Sequence, residues 1–201
     1  LGETPPEFAH LPLILGMDRA KISKRFDAVS VTDYRDQGFL PEAVINFLSL
    51  LGWSPKDNQE ILSISELIEK FSLENVHQAN PVFDIQKLEL MNGEYIKAQA
   101  DEKLLELVQK FWTSADLVQT EDFSSKKTWL LKIISLLKER CKKLTDFVDL
   151  GKFFFTSEFE YEEKALEKQF NDKEVAGRLN KLAEKFRILD SFDKAFQCLH
   201  I

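Results

Sequence analysis

Three cationic residues lie close together near the start of the sequence, in the run Lys-Ile-Ser-Lys-Arg. Lys21, Lys24 and Arg25 surround the hydroxyl of Ser23 within five residues. Fixed positive charges stabilise the negative charge that develops on a phosphoryl group during its transfer. The run therefore predicts a loop that binds a polyphosphate. Because lysine-rich pentamers are common on protein surfaces, a solvated basic loop is the simpler alternative.

Further sequence blocks surround this run in a fixed order. They are Phe8 to Leu15, Ser30 with Val31, Gly38 to Ala43, Asn46 to Ser54, Phe83-Asp84 with Lys87-Leu88, and Asn92 to Ile96. Together with the cationic run, the blocks resemble the signature loop of class I aminoacyl-tRNA synthetases, known as KMSKS, and its surroundings. More narrowly, the first half of the chain resembles the bacterial-type glutamyl-tRNA synthetase family.

The resemblance implies a role for each residue of the loop. Lys21, Ser23, Lys24 and Arg25 would bind ATP, accompanied by Mg²⁺, and Lys21 and Lys24 would be catalytic. They would stabilise the triphosphate while a glutamate carboxylate attacks the α-phosphorus, so the loop supplies charge and positioning rather than a nucleophile. The parent enzyme would then esterify glutamate to tRNA(Glu), or to both tRNA(Glu) and tRNA(Gln). We expect no metal-ligating residues in the chain.

The sequence departs from the family pattern in two respects. Where the family commonly has histidine and glycine after the loop, this chain has Phe26 and Asp27. Aspartate tolerates left-handed backbone conformations better than most residues, so we expect a similar turn. A HIGH-like tetrapeptide is absent, and the three histidines are isolated from one another. We therefore expect a fragment without ligase activity of its own, with glutamate bound by an upstream half.

The second half of the chain contains a strongly basic stretch. Residues 126–152 include eight Lys or Arg against three Asp or Glu, although the whole chain has a net charge of −7. An apolar stripe between Leu130 and Leu144 predicts a helix over 126–144. Its polar face would contact tRNA phosphates or base edges, or would simply be a solvated lysine face. The residues that we assign to RNA are Lys138, Arg140, Lys142 and Lys143.

Several aromatic residues could serve either in core packing or in contact with RNA. Tyr95 follows an Asn-Gly pair that suits a helix end, and we assign it to RNA with packing as an equal alternative. For Trp112, Trp129 and the triplet Phe153 to Phe155 we expect core positions rather than stacking platforms for bases, because large aromatic side chains are usually buried.

The remaining pattern is helical, so the predicted fold is mainly α. Residues 1–31 would hold a short strand and the loop, as the end of a catalytic domain. Residues 32–100 would form a bundle of four helices that, by resemblance, contacts the tRNA stem. Residues 101–201 would begin a helical anticodon-binding domain.

Local signals locate several of these helices. Pro41 suits a first helical turn. Ser63 and Glu66 form a capping-box pattern. Asp84 would cap a helix that ends at about Met91, before the Asn-Gly pair. Further helices are predicted over 162–170, 174–189 and 192–199.

Composition limits the class of protein. The chain has 201 residues, of which 44% are hydrophobic and 30% charged, enough for one medium domain or two small ones. Cys141 and Cys198 are far apart, so neither a disulfide framework nor a zinc site is indicated. No apolar run approaches the ~20 residues that span a bilayer. We expect a cytoplasmic, monomeric protein that has no membrane contact.

One hypothesis of a different class stays open. A non-catalytic helical module that binds RNA or protein, and merely retains a synthetase-like loop, would show the same patterns. The two hypotheses differ in whether Lys24 supports ATP-dependent chemistry once the glutamate-binding half is present.

Overall fold

The computed structural model is mainly helical, as the sequence predicts. The chain divides into two compact units, residues 1–157 and residues 158–201. In the described part, strand pairing is limited to isolated bridges, so the predicted short strand is reduced to single paired residues. The residues that the structure describes are 8, 10–22, 30–156, 164 and 174–187.

The first unit begins with a short hairpin, residues 14–22, in which Leu15 pairs with Lys21. Four α-helices follow it, as predicted for this region. They are α1 (Val31–Asp36), α2 (Pro41–Leu50), α3 (Ile64–Lys70) and α4 (Ile85–Ala98), with a 3-10 turn at Leu73–Asn75. The capping box of α3 is confirmed, because the Ser63 hydroxyl accepts from Glu66 N–H at 3.2 Å and the Glu66 carboxylate accepts from Ser63 N–H at 2.8 Å. Asp84 caps α4 through Gln86 N–H at 2.9 Å.

Helix α4 extends beyond its predicted end. The Asn-Gly pair at 92 and 93 lies inside the helix, which continues to Ala98. Both residues are buried, and a Cβ added to Gly93 would lie 3.5 Å from the carbonyl oxygen of Cys141. The expected stop was wrong because the Asn92 side chain forms long-range hydrogen bonds to Leu40 and Lys142 instead of a local turn.

Five further helices complete the first unit. They are α5 (Asp101–Ser114), α6 (Asp122–Ser125), α7 (Lys127–Leu137), α8 (Asp146–Asp149) and α9 (Lys152–Phe155). Helix α5 packs against both α7 and α8 around fully buried side chains such as Trp112, Leu130 and Phe147. The Trp112 indole N–H donates to the Phe147 carbonyl at 2.9 Å, so the polar atom of this buried side chain is satisfied.

The main core contains residues from both sides of the predicted subdomain boundary near residue 100. Leu40 and Ala43, at the start of α2, and Ile96, in α4, belong to the same buried cluster as the apolar faces of α5 and α7. Helix α2 also packs along α4 around a second cluster that includes Phe47, Leu88 and other residues. The boundary itself stays a prediction.

The predicted basic helix over 126–144 is shorter than expected. Helix α7 ends at Leu137, and residues 138–145, which we call the fastening segment, form an irregular connection to α8. The Asp146 carboxylate accepts from the N–H groups of Lys142 and Lys143 at 2.8 and 2.9 Å. These backbone donors therefore have a side-chain partner that replaces the helical carbonyls, which the apolar stripe alone does not reveal.

In the second unit the structure describes one helix, α10 (Val175–Arg187), within the predicted range 174–189. Arg178 pairs with Glu174 at 2.8 Å, one helical turn away. The helices predicted over 162–170 and 192–199 lie outside the described residues. Among the described helices, none has the length and apolar character needed to cross a membrane.

Candidate nucleotide loop and nucleic-acid interface

A tight turn leads into the cationic run. Gly16 N–H donates to the Ala20 carbonyl and Arg19 N–H donates to the Gly16 carbonyl, both at 2.9 Å. The Asp18 carboxylate accepts from Ala20 N–H at 2.9 Å, and Arg19 adopts a positive φ of 60°. This closed turn fixes the direction in which Lys21 leaves it.

The hairpin is attached to the segment that precedes α4. Leu15 pairs with Lys21 in antiparallel orientation and with Val82 in parallel orientation. Leu15 N–H donates to the Pro81 carbonyl at 2.9 Å, and Phe83 N–H donates to the Leu15 carbonyl at 2.8 Å. The base of the loop is therefore held by the residues that lead directly into the helix carrying Asn92.

Lys21 is the only one of the four residues assigned to ATP that lies within the described part of the chain. Lys21 is exposed and forms no ion pair with any residue that the structure describes. A lysine without a local counter-charge has its three N–H donors free for phosphate oxygens. Ser23, Lys24 and Arg25 lie outside the described residues, as do Phe26 and Asp27, so their roles stay predictions.

The four cations assigned to RNA fall into two kinds. Lys138 Nζ lies 2.8 Å from the Asp101 carboxylate, and Lys143 Nζ lies 3.2 Å from the Glu89 carboxylate. These half-buried pairs connect the fastening segment to α5 and α4. Arg140 and Lys142 are exposed, and neither forms an ion pair with a described residue. Arg140 and Lys142 are therefore available for phosphate contact, whereas Lys138 and Lys143 form ion pairs within the fold.

Asn92 holds the fastening segment in place. Its side chain is fully buried; its Oδ1 accepts from Leu40 N–H at 2.8 Å, while its amide N–H donates to the Lys142 carbonyl. The adjoining backbone is fixed as well, because the Leu144 N–H donates to the Gly38 carbonyl at 2.9 Å. Sequence reasoning missed this role because it took Asn92 as part of a helix stop.

Tyr95 is engaged inside the protein. Its hydroxyl lies 2.7 Å from Asn46 Oδ1 and 2.6 Å from the Leu62 carbonyl oxygen, and the same Asn46 oxygen accepts from Leu62 N–H at 2.9 Å. Burial raises the pKa of the Tyr95 hydroxyl. This geometry favours the packing alternative for Tyr95, and an RNA contact through it stays a prediction.

Some of the aromatic residues that are predicted to lie in the core are exposed. Trp112 is fully buried, as expected. Trp129 and Phe153 are 42% and 55% exposed, so that expectation was wrong for these two. On α7, Leu130, Ile133 and other aliphatic residues already fill the core. Trp129 therefore lies at the edge of the apolar face of this helix.

Cys141 is a buried thiol at the centre of the fastening segment. Burial raises its pKa to about 12, and the nearby Asp146 carboxylate adds to the effect. Such a thiol stays protonated at neutral pH and is a poor nucleophile and metal ligand. No group of three or more His, Cys, Asp or Glu residues in the described ranges is placed to hold a metal ion.

Each half of the chain matches a known protein family. Residues 1–90 match the family described as "tRNA synthetases class I (E and Q), catalytic domain", and residues 103–197 match one described as "Anticodon binding domain". The class defined by these two matches, together with the helical fold, is a class I aminoacyl-tRNA synthetase of the E and Q group.

Individual relatives narrow the class. The chain is 40% identical over 194 residues to glutamate–tRNA ligase 2 of Thermoanaerobacter pseudethanolicus, covering 96% of this chain and 40% of the relative. It is 44% identical over 192 residues to the glutamate–tRNA ligase of Thermodesulfovibrio yellowstonii, covering 96% of this chain and 41% of the relative. This chain belongs to the glutamate–tRNA ligase family and spans about 40% of the length of these relatives.

A solved structure agrees with this assignment. The fold is similar to the crystal structure of a glutamate tRNA ligase from Elizabethkingia meningosepticum in complex with its amino acid, with a TM-score of 0.75 and 36% sequence identity. The match covers 94% of this chain and 40% of that one. The predicted mainly α arrangement and the predicted family are both confirmed.

Proposed function

We propose that the chain is the part of a glutamate–tRNA ligase that supplies the ATP loop and the tRNA-binding helices. The observation that carries the proposal is the hairpin that presents Lys21, an exposed lysine without an ion pair in the described part, from a turn anchored on the residues before α4. A solvated loop would need no such anchoring.

In the proposed reaction, a glutamate carboxylate attacks the α-phosphorus of Mg²⁺-bound ATP, the bond between the α- and β-phosphates breaks, and pyrophosphate leaves. The resulting glutamyl adenylate would then transfer glutamate to a hydroxyl of tRNA and release AMP. Lys21 and Lys24 neutralise the triphosphate, Ser23 and Arg25 add a hydroxyl and a third charge, and none of them acts as nucleophile. A HIGH-like tetrapeptide does not occur in the sequence. The chain alone is therefore proposed to lack ligase activity and to act with a further part that binds glutamate.

We propose that Arg140 and Lys142 make the main RNA contacts, because both are exposed and neither forms an ion pair in the described part. Lys138 and Lys143 contribute to the local potential while they hold the fastening segment. The relatives' names suggest tRNA(Glu) as the substrate, and tRNA(Gln) is the second candidate. We further propose that the protein acts as a monomer in the cytoplasm.

ATP–pyrophosphate exchange tests the proposal. The full-length polypeptide that carries this sequence is assayed with glutamate, tRNA and labelled pyrophosphate, alongside Lys24→Ala and the exposed control Lys56→Ala. Loss of one preorganised charge at a transferring phosphoryl group lowers the rate by about 10²–10³-fold. We expect that loss for Lys24→Ala and an unchanged rate for Lys56→Ala.

The same assay separates the second candidate function. A non-catalytic RNA- or protein-binding module that retains a synthetase-like loop predicts no exchange, or an exchange that does not respond to Lys24→Ala. Either result, obtained with folded protein that binds RNA, would replace the ligase assignment by the module.

A further inference from the structure

We propose that the exposed indole of Trp129 is a stacking platform for an unpaired base of the bound RNA. The inference rests on the proposed function and adds a contact to it at the N-terminal end of α7. The sequence analysis expected Trp129 in the core, so its exposure needs an explanation.

Trp129 differs from the other tryptophans in the chain. Trp53 and Trp112 are 1% and 0% exposed, whereas Trp129 is 42% exposed. A large aromatic surface left in contact with water is unfavourable, and contact with a ligand would remove that cost. The ring borders an open hollow that is also lined by Ser125, Lys126 and Thr128. A flat apolar surface beside hydroxyl and ammonium groups suits a nucleobase, which has a π face and polar edges.

The Trp129 indole packs against another aromatic ring on one side. The Trp129 and Phe155 rings meet almost perpendicularly, at 88°, with centroids 5.5 Å apart. Phe155 in turn contacts the buried Trp112 ring, with centroids 5.1 Å apart. A perpendicular contact covers at most one face of the indole, so the other is left free of Phe155. Because the ring is already held, stacking a base on it costs little conformational entropy.

The charges around Trp129 favour RNA as the occupant. Lys126 borders the same hollow, and Lys152 begins the short helix that carries Phe155. The acidic groups on this side include Asp122, which pairs with Lys126 at 3.1 Å, and its neighbour Glu121. The Lys126–Asp122 pair is exposed, so it is weak and a phosphate can displace it.

Aromatic faces beside cations are the usual means of binding single-stranded nucleic acid. Trp129 lies within the residues that match the anticodon-binding family, and an anticodon loop presents unpaired bases. A double-stranded stem keeps its bases stacked and paired, so it offers no free base for the indole. The expected occupant is therefore an unpaired nucleotide of the tRNA.

The test uses the full-length polypeptide and a transcript of the tRNA(Glu) anticodon stem-loop. Its affinity is measured for the wild type, Trp129→Leu, Trp129→Phe and Leu136→Ala. Leu136 is the matched control, because it lies on the same helix and is 41% exposed. We expect about tenfold weaker binding for Trp129→Leu, largely retained binding for Trp129→Phe, and no change for Leu136→Ala.

A second readout needs no variant. Iodide quenches exposed indoles, so stem-loop binding should protect wild-type fluorescence from iodide, whereas a duplex of the same length should not. Unchanged affinity in folded Trp129→Leu, or equal protection by the duplex, would overturn the platform and leave the ligase proposal intact. Absence of any stem-loop binding by the wild type would contradict both proposals.

Discussion

The buried side-chain amide of Asn92 donates a hydrogen bond to the backbone carbonyl of Lys142, across fifty positions of the chain. The same side chain accepts from the buried N–H of Leu40 at 2.8 Å. One amide therefore joins the start of α2, the middle of α4 and the fastening segment. The cations proposed to contact RNA are presented by a backbone that α4 holds, and the hairpin that carries Lys21 is attached just before the same helix.

Asn92→Ala should be strongly destabilising. It leaves the Leu40 N–H and the Lys142 carbonyl without partners, and each buried polar group left unpaired costs about 1–3 kcal/mol. We expect the free energy of unfolding to fall by about 2–5 kcal/mol in urea titrations. The control is Asn80→Ala, because Asn80 is exposed and accepts only one backbone hydrogen bond, from Leu13, in the described part. Equal stability of the two variants would refute the role given to Asn92.

Two glycines should respond oppositely to alanine. Gly38 has a φ of +90°, and an added Cβ would lie 2.8 Å from the backbone nitrogens of Leu144 and Thr145. Gly38→Ala should therefore cost about 2–4 kcal/mol. At Gly93 an added Cβ would make an ordinary contact at 3.5 Å inside a helix, so Gly93→Ala should be neutral or stabilise by up to about 1 kcal/mol. Thermal unfolding of both variants checks the order.

Cys141 predicts a loss of stability at alkaline pH. Its pKa is raised to about 12 in the folded protein, against about 8.5 for an unfolded thiol. Above pH 9 the unfolded chain therefore binds fewer protons than the native state, and the free energy of unfolding falls as pH rises. The limiting slope for one thiol is about 1.4 kcal/mol per pH unit.

The slope can be isolated by comparison with Cys141→Ala. The difference in the free energy of unfolding between wild type and variant should shrink between pH 9 and pH 11. A difference that stays constant over this range would show that the thiol ionises equally in both states.

Salt dependence should separate the two kinds of cation in the fastening segment. Arg140→Gln with Lys142→Gln should weaken tRNA binding and lower the slope of log K against log salt by about 0.7–0.9 for each phosphate that is no longer neutralised. Lys138→Gln with Lys143→Gln should leave most of that slope and instead lower stability by about 1 kcal/mol per pair, because these lysines bind Asp101 and Glu89. Identical slopes for the two double variants would remove the distinction.

The parts of the fold that the sequence predicts well are those set by local chemistry. Ser63 with Glu66 and Asp84 cap their helices as expected, since the partners lie within three residues. The family resemblance likewise depends on short blocks that can be read directly.

The parts that could not be predicted depend on long-range contacts. Asn92 and Gly93 look like a helix end, and only their contacts with the fastening segment explain why α4 continues. Helix α7 ends at Leu137, and beyond it the N–H groups of Lys142 and Lys143 bond to the Asp146 side chain instead of helical carbonyls. A count of charges along the sequence likewise cannot show that Lys138 and Lys143 pair with acids on other helices.

The central claim is that the lysines of the hairpin serve ATP-dependent charging of tRNA with glutamate. Its most direct measurement is the attachment of labelled glutamate to tRNA(Glu) by the full-length polypeptide, compared between wild type and Lys21→Ala. We predict charging by the wild type and a rate reduced by about 10²–10³-fold in the variant, with tRNA affinity unchanged. Undiminished charging by Lys21→Ala, or no charging by folded wild type that binds tRNA, would contradict the account.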